Sequence, residues 1–143
     1  MTVVLVDERV ISEEETKTVI DIIFEYIIPG TCVTLNGELG AGKTFITKYI
    51  TSKFGIKQIS SPTFSLVNVY AGSCKFYHLD FYRIQLSEEL FDIGYFEMIG
   101  DAESIIVIEW ANMFPEVLPL NRIDISIEIG EDTERFIKVL KYE

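Results

Sequence analysis

The feature that most constrains this chain is the octapeptide Gly37 to Thr44, GELGAGKT, which matches the phosphate-loop pattern G-x-x-x-x-G-K-[ST] at every position. Residues Thr31 to Asn36, before it, have the β-branched and apolar character of a strand, and Phe45 to Ile50, after it, have helical spacing. A strand, a glycine-rich loop and a helix in this order are the setting that the motif requires. We therefore predict an α/β fold arranged around a nucleotide-binding loop.

The residue types of this loop suit a phosphate ligand. Gly37, Gly40 and Gly42 allow the backbone to curl around a phosphate with its N–H groups inward, because residues without a Cβ tolerate those dihedral angles and that close approach. Lys43 would bring a positive charge to the β- and γ-phosphates, and Thr44 a hydroxyl to Mg²⁺. The motif predicts nucleotide and metal together, but not hydrolysis, and a glycine-rich turn without a ligand is the alternative.

Length and composition indicate one domain over residues 1–143. The chain is 48% hydrophobic and 13% aromatic, which is typical of a globular protein with one sizeable core. Its longest aliphatic runs are far shorter than a membrane span, and no charged leader with a cleavage site opens the chain. We expect a cytoplasmic protein without membrane contact. We also expect Cys32 and Cys74, both in predicted strands, to be reduced and packed.

The charges are unevenly distributed along the chain. Twelve basic and 23 acidic residues give a net charge of −11, which argues against a surface that tracks duplex nucleic acid or tRNA. Residues 39–79 contain five lysines and no acid, whereas residues 84–134 contain thirteen acids and only Arg122 as a base. The first stretch suits phosphates and the second suits a basic protein partner, unless both are simply solvated surface.

The remaining pattern predicts a mixed sheet. Residues 65–70 and 75–79 read as two strands of an antiparallel hairpin, and residues 121–129 and 135–142 read as two further strands. Val3 to Val6 is a candidate first strand, Ser12 to Glu15 is a capping box that opens a helix, and residues 92–96 are expected to be irregular. We therefore predict a single-domain, three-layer α/β fold of the P-loop NTPase type, with a mostly parallel sheet that includes antiparallel strands and is flanked by helices.

Two acidic residues are candidates for the chemistry. Glu109 ends the apolar run Ser104 to Ile108, which has the form of a buried parallel strand that delivers a carboxylate to the ligand-binding edge of the sheet, like a Walker B element. Asp80 follows another predicted strand, two residues after His78. The alternatives are a strand end that happens to carry Glu109, a hydrogen-bonded strand histidine for His78, and a turn or cap role for Asp80.

Taken together, these motifs resemble the TsaE family, small ATPases of bacterial threonylcarbamoyladenosine tRNA modification. The matching elements cover most of the chain: Glu15-Thr16, Gly37 to Thr44, Ser61-Pro62-Thr63-Phe64 with Leu66-Val67, His78 to Arg83, Glu88-Glu89-Leu90 with Gly94, Ile108-Glu109-Trp110 and Leu118-Pro119. Two departures are Phe45, where many relatives have a second threonine, and residues 92–99, which match only loosely.

The resemblance implies a P-loop ATPase that is weak alone and works with TsaD-like and TsaB-like partners, using ATP/ADP and Mg²⁺ but not performing the transfer itself. It implies catalytic roles for Lys43, Asp80 and Glu109 and metal binding by Thr44, Glu109 and Asp80, with either acid able to be the metal ligand or the residue that orients water. The nucleotide-binding residues that it implies are Glu13, Glu38, Leu39, Gly40, Ala41, Gly42, Lys43, Thr44, Phe45, Thr63 and Arg135.

Two other functions stay open on the sequence. A small-molecule phosphotransferase would need an acceptor pocket and usually an arginine-rich lid, yet the chain has only four arginines. A non-catalytic module whose interactions depend on nucleotide would bind without turnover. A GTPase is disfavoured because the chain contains no exact N-K-x-D guanine selector.

Overall fold

The computed structural model describes residues 1–60 and 66–143, and over these residues it contains seven strands and four α-helices joined by short 3₁₀ segments. The strands are β1 (Thr2–Val10), β2 (Cys32–Gly37), β3 (Val67–Ala71), β4 (Lys75–Asp80), β5 (Ser104–Glu109), β6 (Arg122–Ile129) and β7 (Arg135–Tyr142). The helices are α1 (Glu13–Ile23), α2 (Lys43–Ser52), α3 (Glu88–Asp92) and α4 (Tyr95–Ile99).

All seven strands belong to one sheet in the order β1-β7-β6-β2-β5-β4-β3. The four central strands β6, β2, β5 and β4 are parallel, whereas β3 on one side and β7 and β1 on the other pair antiparallel. The predicted mixed sheet is confirmed, and so are the β3–β4 and β6–β7 hairpins. Because the central strands are parallel, their carboxyl ends meet at one edge, where folds of this kind bind ligands.

The sheet has a hydrophobic core on each face. Along β5 every residue is buried, and the side chains alternate: Ile105 and Val107 join the core under α1 and α2, while Ile106 and Ile108 join the core under α3 and α4. Each such isoleucine contributes about 1.5–3 kcal/mol by its burial. This two-sided burial explains why β5 reads as a continuous apolar run, and it gives the predicted three layers.

Helix α1 begins with the predicted cap. The Ser12 hydroxyl accepts a hydrogen bond from the Glu15 N–H at 3.1 Å, and the Glu15 carboxylate accepts one from the Ile11 N–H, one residue before the expected donor. The helix packs Val19, Ile20 and Ile23 onto the sheet. It is the longest helix, with 11 residues, and in the described parts of the chain no helix combines the length and apolar character needed to cross a bilayer.

Two local expectations were wrong. Residues 92–96 are not irregular: Gly94, at φ +78°, ends α3 and starts α4, and the hydroxyl of the buried Tyr95 donates to the Val117 carbonyl. Cys74 lies in the turn before β4 and not within a strand. Both cysteines are free, as expected, and burial raises the pKa of the Cys32 thiol to about 12, so it remains protonated.

Candidate nucleotide-binding site

The glycine-rich loop connects β2 to α2 at the carboxyl edge of the parallel strands, as predicted. Gly40 and Gly42 have φ values of +83° and +115°, in the left-handed region that other residues rarely adopt. Gly37 is required for a different reason, since a Cβ there would lie 2.8 Å from the Ile127 carbonyl oxygen of β6. The three glycines therefore shape the loop through its backbone dihedral angles and through close packing on a neighbouring strand.

Lys43, the first residue of α2, is only 5% exposed and points into this loop. Its ammonium group donates to the carbonyl oxygens of Gly37 at 2.5 Å and Glu38 at 3.0 Å, and it lies 4.2 Å from the centre of the Trp110 ring. Burial lowers the pKa of Lys43, while the nearby Glu109 and Asp80 carboxylates act in the opposite direction. A positive charge is therefore held at the centre of the site by the loop itself.

The two candidate acids lie side by side. Strands β4 and β5 are parallel, and their register places Asp80 directly opposite Glu109. The Trp110 N–H donates to the Leu35 carbonyl, which ties the end of β5 to the end of β2, where the loop begins. The sheet therefore brings the Asp80 and Glu109 carboxylates to the same edge as Lys43, a position that the sequence had predicted for Glu109 alone.

Glu109 is 4% exposed, and a second buried side chain holds it. The His78 Nε2–H donates to the Glu109 carboxylate at 2.5 Å, so the interpretation of His78 as a hydrogen-bonded strand histidine is confirmed. In the described residues the other ring nitrogen, His78 Nδ1, has no hydrogen-bond partner. Because this bond fixes one carboxylate oxygen, the orientation of Glu109 is set before any ligand binds.

Asp80 is less enclosed than Glu109. One of its oxygens accepts a hydrogen bond from the Tyr82 N–H at 2.9 Å, which is the cap role considered above. Burial raises the pKa of Asp80, and the Glu109 charge adds to this, whereas the Tyr82 N–H, His78 and Lys43 oppose it. Asp80 therefore has the environment of a carboxylate that can accept a proton more readily than an exposed one.

A cavity of about 400 Å³ opens beside the loop, and its size suits a small-molecule ligand. It is lined by α1, the loop, α2 and the β6–β7 turn, through Ile11, Ser12, Glu13, Thr16, Gly40, Ala41, Gly42, Phe45, Ile46, Ile127, Asp132, Thr133, Arg135 and Ile137. Arg135 donates to the Ala41 carbonyl at 3.2 Å and so braces the loop from β7. Glu13, Phe45 and Arg135, which the family resemblance implied as nucleotide neighbours, thus share one cavity with the loop.

The other predicted residues occupy varied positions. Glu38 and Leu39 lie on the outer side of the loop, where Leu39 is 88% exposed. Thr44 is half-buried in the first turn of α2. Thr63 belongs to Ser61 to Phe64, one of the elements that match the TsaE family, and lies outside the described residues.

The donor atoms present fit magnesium. Thr44, Asp80 and Glu109 offer a hydroxyl and two carboxylates, which are hard oxygen ligands. Within residues 1–60 and 66–143 no cluster of three or more His, Cys, Asp or Glu side chains could hold a metal by itself. This suits Mg²⁺, which in nucleotide sites takes one or two protein ligands together with phosphate and water oxygens.

A polar network under the loop was missed by the sequence analysis. The buried Asp124 of β6 accepts hydrogen bonds from the Thr34 hydroxyl at 2.7 Å and the Asn36 amide at 2.9 Å. The Asn36 side-chain oxygen in turn accepts from the Asn112 N–H at 2.9 Å. An acid within the apolar strand Ile123-Asp124-Ile125 was the available signal. The network joins β2, β6 and the segment after β5, and so fixes the base of the loop.

Comparisons of sequence with known proteins agree with this geometry. The family model described as threonylcarbamoyl adenosine biosynthesis protein TsaE matches residues 10–137. The tRNA threonylcarbamoyladenosine biosynthesis protein TsaE of Bacillus subtilis is 37% identical over 131 residues, which cover 90% of this chain and 81% of that protein. The protein of the same name from Rickettsia typhi is 35% identical over 133 residues, or 91% of each chain.

Comparison with solved structures also finds a similar protein. The crystal structure of YdiB from Bacillus subtilis superimposes with a TM-score of 0.77 at 30% identity, and the match covers all of this chain and 88% of that one. The fold is thus P-loop NTPase-like, as the sequence predicted. The matched segment includes the loop, both carboxylates and Arg135. This chain belongs to the TsaE family.

Proposed function

We propose that this chain binds and hydrolyses ATP with Mg²⁺, as an accessory protein of tRNA threonylcarbamoyladenosine biosynthesis. The observation that carries the proposal is the position of the Lys43 ammonium, which is held by loop carbonyls and is near enough to Asp80 and Glu109 to feel both of their charges. Phosphoryl transfer depends on positioning and charge neutralisation more than on covalent chemistry, so this set of groups is sufficient for slow hydrolysis. The tRNA pathway is the one that the names of its TsaE relatives state.

The loop side of the site would hold the nucleotide. The first N–H groups of α2, from Lys43 and Thr44 onward, have no partner within the helix, and the helix dipole there also favours negative charge. Lys43 would leave the Gly37 and Glu38 carbonyls for the phosphates, a short movement because its stem is already in the loop. Glu13, Phe45 and Arg135 would enclose the adenosine part within the adjoining cavity.

The two acids, Glu109 and Asp80, would have different roles in the reaction. Glu109, buried and oriented by His78, suits a fixed magnesium ligand together with the Thr44 hydroxyl. Asp80, more exposed and with its pKa raised, suits the residue that orients water and accepts its proton. When bound, the magnesium ion would neutralise charge that develops on the phosphates.

The proposed partners are TsaD-like and TsaB-like proteins, and ATP hydrolysis would be slow until they are present. The net charge of −11 favours contact with tRNA only within such a complex, since an acidic surface repels a phosphate backbone.

The proposal is tested by measuring phosphate release from ATP by the purified chain, alone and with each candidate partner, at a fixed magnesium concentration. We expect slow release that depends on magnesium and rises when the partners are added. Tight ATP binding without release in any combination would replace the ATPase by a non-catalytic module. Release that is stoichiometric with phosphorylation of an added small molecule would instead indicate a phosphotransferase.

A further inference from the structure

Helices α3 and α4 present two aromatic side chains to solvent. Their buried sides carry Leu90 and Tyr95, which are fully enclosed in the core. On the outer side Phe91 is 67% exposed and Phe96 is 38% exposed, and the centres of their rings are 4.7 Å apart. Phenylalanine side chains that pack on each other in water, and not in the core, form an apolar patch of the kind that marks protein interaction sites.

Acidic residues surround this patch. Residues 84–121 contain no lysine or arginine and eight acids: Glu88, Glu89, Asp92, Glu97, Asp101, Glu103, Glu109 and Glu116. Of these, Glu88, Asp92 and Glu97 are exposed on α3 and α4 beside the two phenylalanines. We define the acidic aromatic face as Glu88, Phe91, Asp92, Phe96 and Glu97.

The charge of the acidic aromatic face decides what can cover it. Nucleic acid and anionic lipid surfaces would be repelled by three exposed carboxylates. A second copy of this chain would place the same acids opposite one another across a two-fold axis. A protein surface that offers an apolar pocket with lysine or arginine around it would instead bury the rings and pair with the acids.

We infer that the acidic aromatic face is a docking site for a basic protein surface with an apolar pocket at its centre. Phe91 is the central anchor, because it is the more exposed ring, and Phe96 supports it from the side. Asp92 and Glu97 act mainly on the rate of association, since exposed charges steer partners and are screened by salt.

The acidic aromatic face is also connected to the nucleotide site. The Phe81 ring packs edge-on against Tyr95, the first residue of α4, with centroids 5.8 Å apart. The next residue, Tyr82, lies 4.9 Å from the Trp110 ring, which covers Lys43. A chain of aromatic contacts, in which Tyr82 itself is 59% exposed, therefore connects Lys43 to α4.

The test compares a double variant, Phe91→Ser with Phe96→Ser, with the wild-type chain by calorimetry. The probe is the TsaD-like protein, and in this choice the test rests on the proposed function. We expect the dissociation constant to increase about tenfold or more, since central aromatic residues dominate interface energies. The matched control, Val4→Ser with Ile22→Ser, removes two similarly exposed aliphatic side chains elsewhere and should leave the dissociation constant unchanged.

A second variant tests the charge. Asp92→Lys with Glu97→Lys should weaken binding and remove most of its salt dependence, whereas Glu8→Lys with Glu128→Lys, exposed acids on β1 and β6, should change neither. The ATP affinity of every variant should match wild type, because these side chains lie outside the nucleotide cavity, and thermal melting checks that each variant is folded.

The outcomes separate this inference from the proposed function. If the TsaD-like protein binds and the double phenylalanine variant binds equally well, the docking face is wrong and the proposed function stands. If wild type binds neither the TsaD-like nor the TsaB-like protein, that part of the proposed function is wrong. A designed helical peptide of leucine and lysine then tests the docking face. The docking face stands if the double phenylalanine variant, but not its control, binds the peptide more weakly than wild type. It is overturned if wild type does not bind the peptide, or if the double variant and its control bind the peptide equally well.

Discussion

The two sides of the candidate site are built in different ways. The loop side, Gly37 to Thr44 with Arg135, is largely backbone, and even Lys43 and Arg135 are held by loop carbonyls. The carboxylate side, His78, Asp80 and Glu109, consists of side chains from two strands whose register brings them together. The loop therefore depends on a short stretch of chain, whereas the acids depend on correct pairing across the sheet.

The largest expected effect is on the loop side. Lys43→Ala removes the charge that we propose to face the phosphates, so phosphate release should fall by about 10²–10³-fold. It also removes two hydrogen bonds to the Gly37 and Glu38 carbonyls, so the loop should become less ordered although the core is untouched. The control is Lys48→Ala, an exposed lysine of the same helix, which should retain activity. A folded Lys43→Ala protein with undiminished ATPase activity would contradict the phosphate-loop assignment.

The next prediction distinguishes the roles of the two acids on the carboxylate side, Glu109 and Asp80. Glu109→Gln should raise the magnesium concentration needed for half-maximal activity by at least about tenfold, because a buried ligand loses its charge. Asp80→Asn should lower turnover at saturating magnesium by about 10²-fold or more, with little change in nucleotide affinity. Phosphate release over a range of magnesium concentrations measures both effects.

The reverse pattern would exchange the roles of the two acids. Small and equal effects would instead reduce the pair to structural residues, with Asp80 a cap and Glu109 a buried partner of His78. The loss of activity in these two variants, compared with the loss in Lys43→Ala, shows whether the carboxylate side matters as much to function as the loop side.

A smaller effect, on ATP affinity, is expected from removing the Arg135 side chain that braces the loop. Arg135→Ala removes the hydrogen bond from β7 to the Ala41 carbonyl and opens the cavity, so the dissociation constant for ATP should rise by about tenfold. The magnesium requirement should not change, because Arg135 does not contact the carboxylate side. Fluorescence of Trp110, the single tryptophan, reports binding. Lys138→Ala, exposed on the same strand, is the control; equal affinities for the two variants would exclude a role for Arg135.

The smallest effect concerns the helices that flank the loop. Asp21 on α1 pairs with Lys53, just after α2, at 2.7 Å and accepts a hydrogen bond from Tyr49. Mainly the Lys53 hydrogen bond, then that of Tyr49, lowers the pKa of Asp21 below its ordinary 3.8. The stability that this pair adds is thus fully present above about pH 4 and lost as pH falls through the lowered pKa.

Asp21→Asn should therefore reduce the free energy of unfolding by less than about 1 kcal/mol at neutral pH, since the pair is partly exposed. The difference from wild type should shrink as the pH is lowered below 3.8. Urea unfolding at several pH values measures it, with Asp7→Asn, an exposed acid of β1, as the control. A difference that stays constant from pH 7 to strongly acidic conditions would show that the charge of Asp21 is not its cause.

The sequence was most informative where function depends on neighbouring residues. The loop, the strand before it and the helix after it follow from spacing and from the glycines, because the shape of the loop is set by backbone dihedral angles over a few residues. The β3–β4 and β6–β7 hairpins were recognisable because each consists of two strands joined by a short turn, so that the pattern lies within a few neighbouring residues. The sequence was least informative at α4, where a buried tyrosine and a left-handed glycine outweigh weak local propensity.

The phosphate loop, the mixed α/β sheet and the candidate acids could be read from the order and spacing of the residues. How these groups meet became visible only in the folded chain: the His78 bond to Glu109, the Trp110 ring over Lys43, the Arg135 brace and the Asp124 network. The physical reason is that the loop is set by local backbone dihedral angles, whereas these contacts join residues far apart in the chain. Their geometry depends on strand order and register, which many distant side chains determine together.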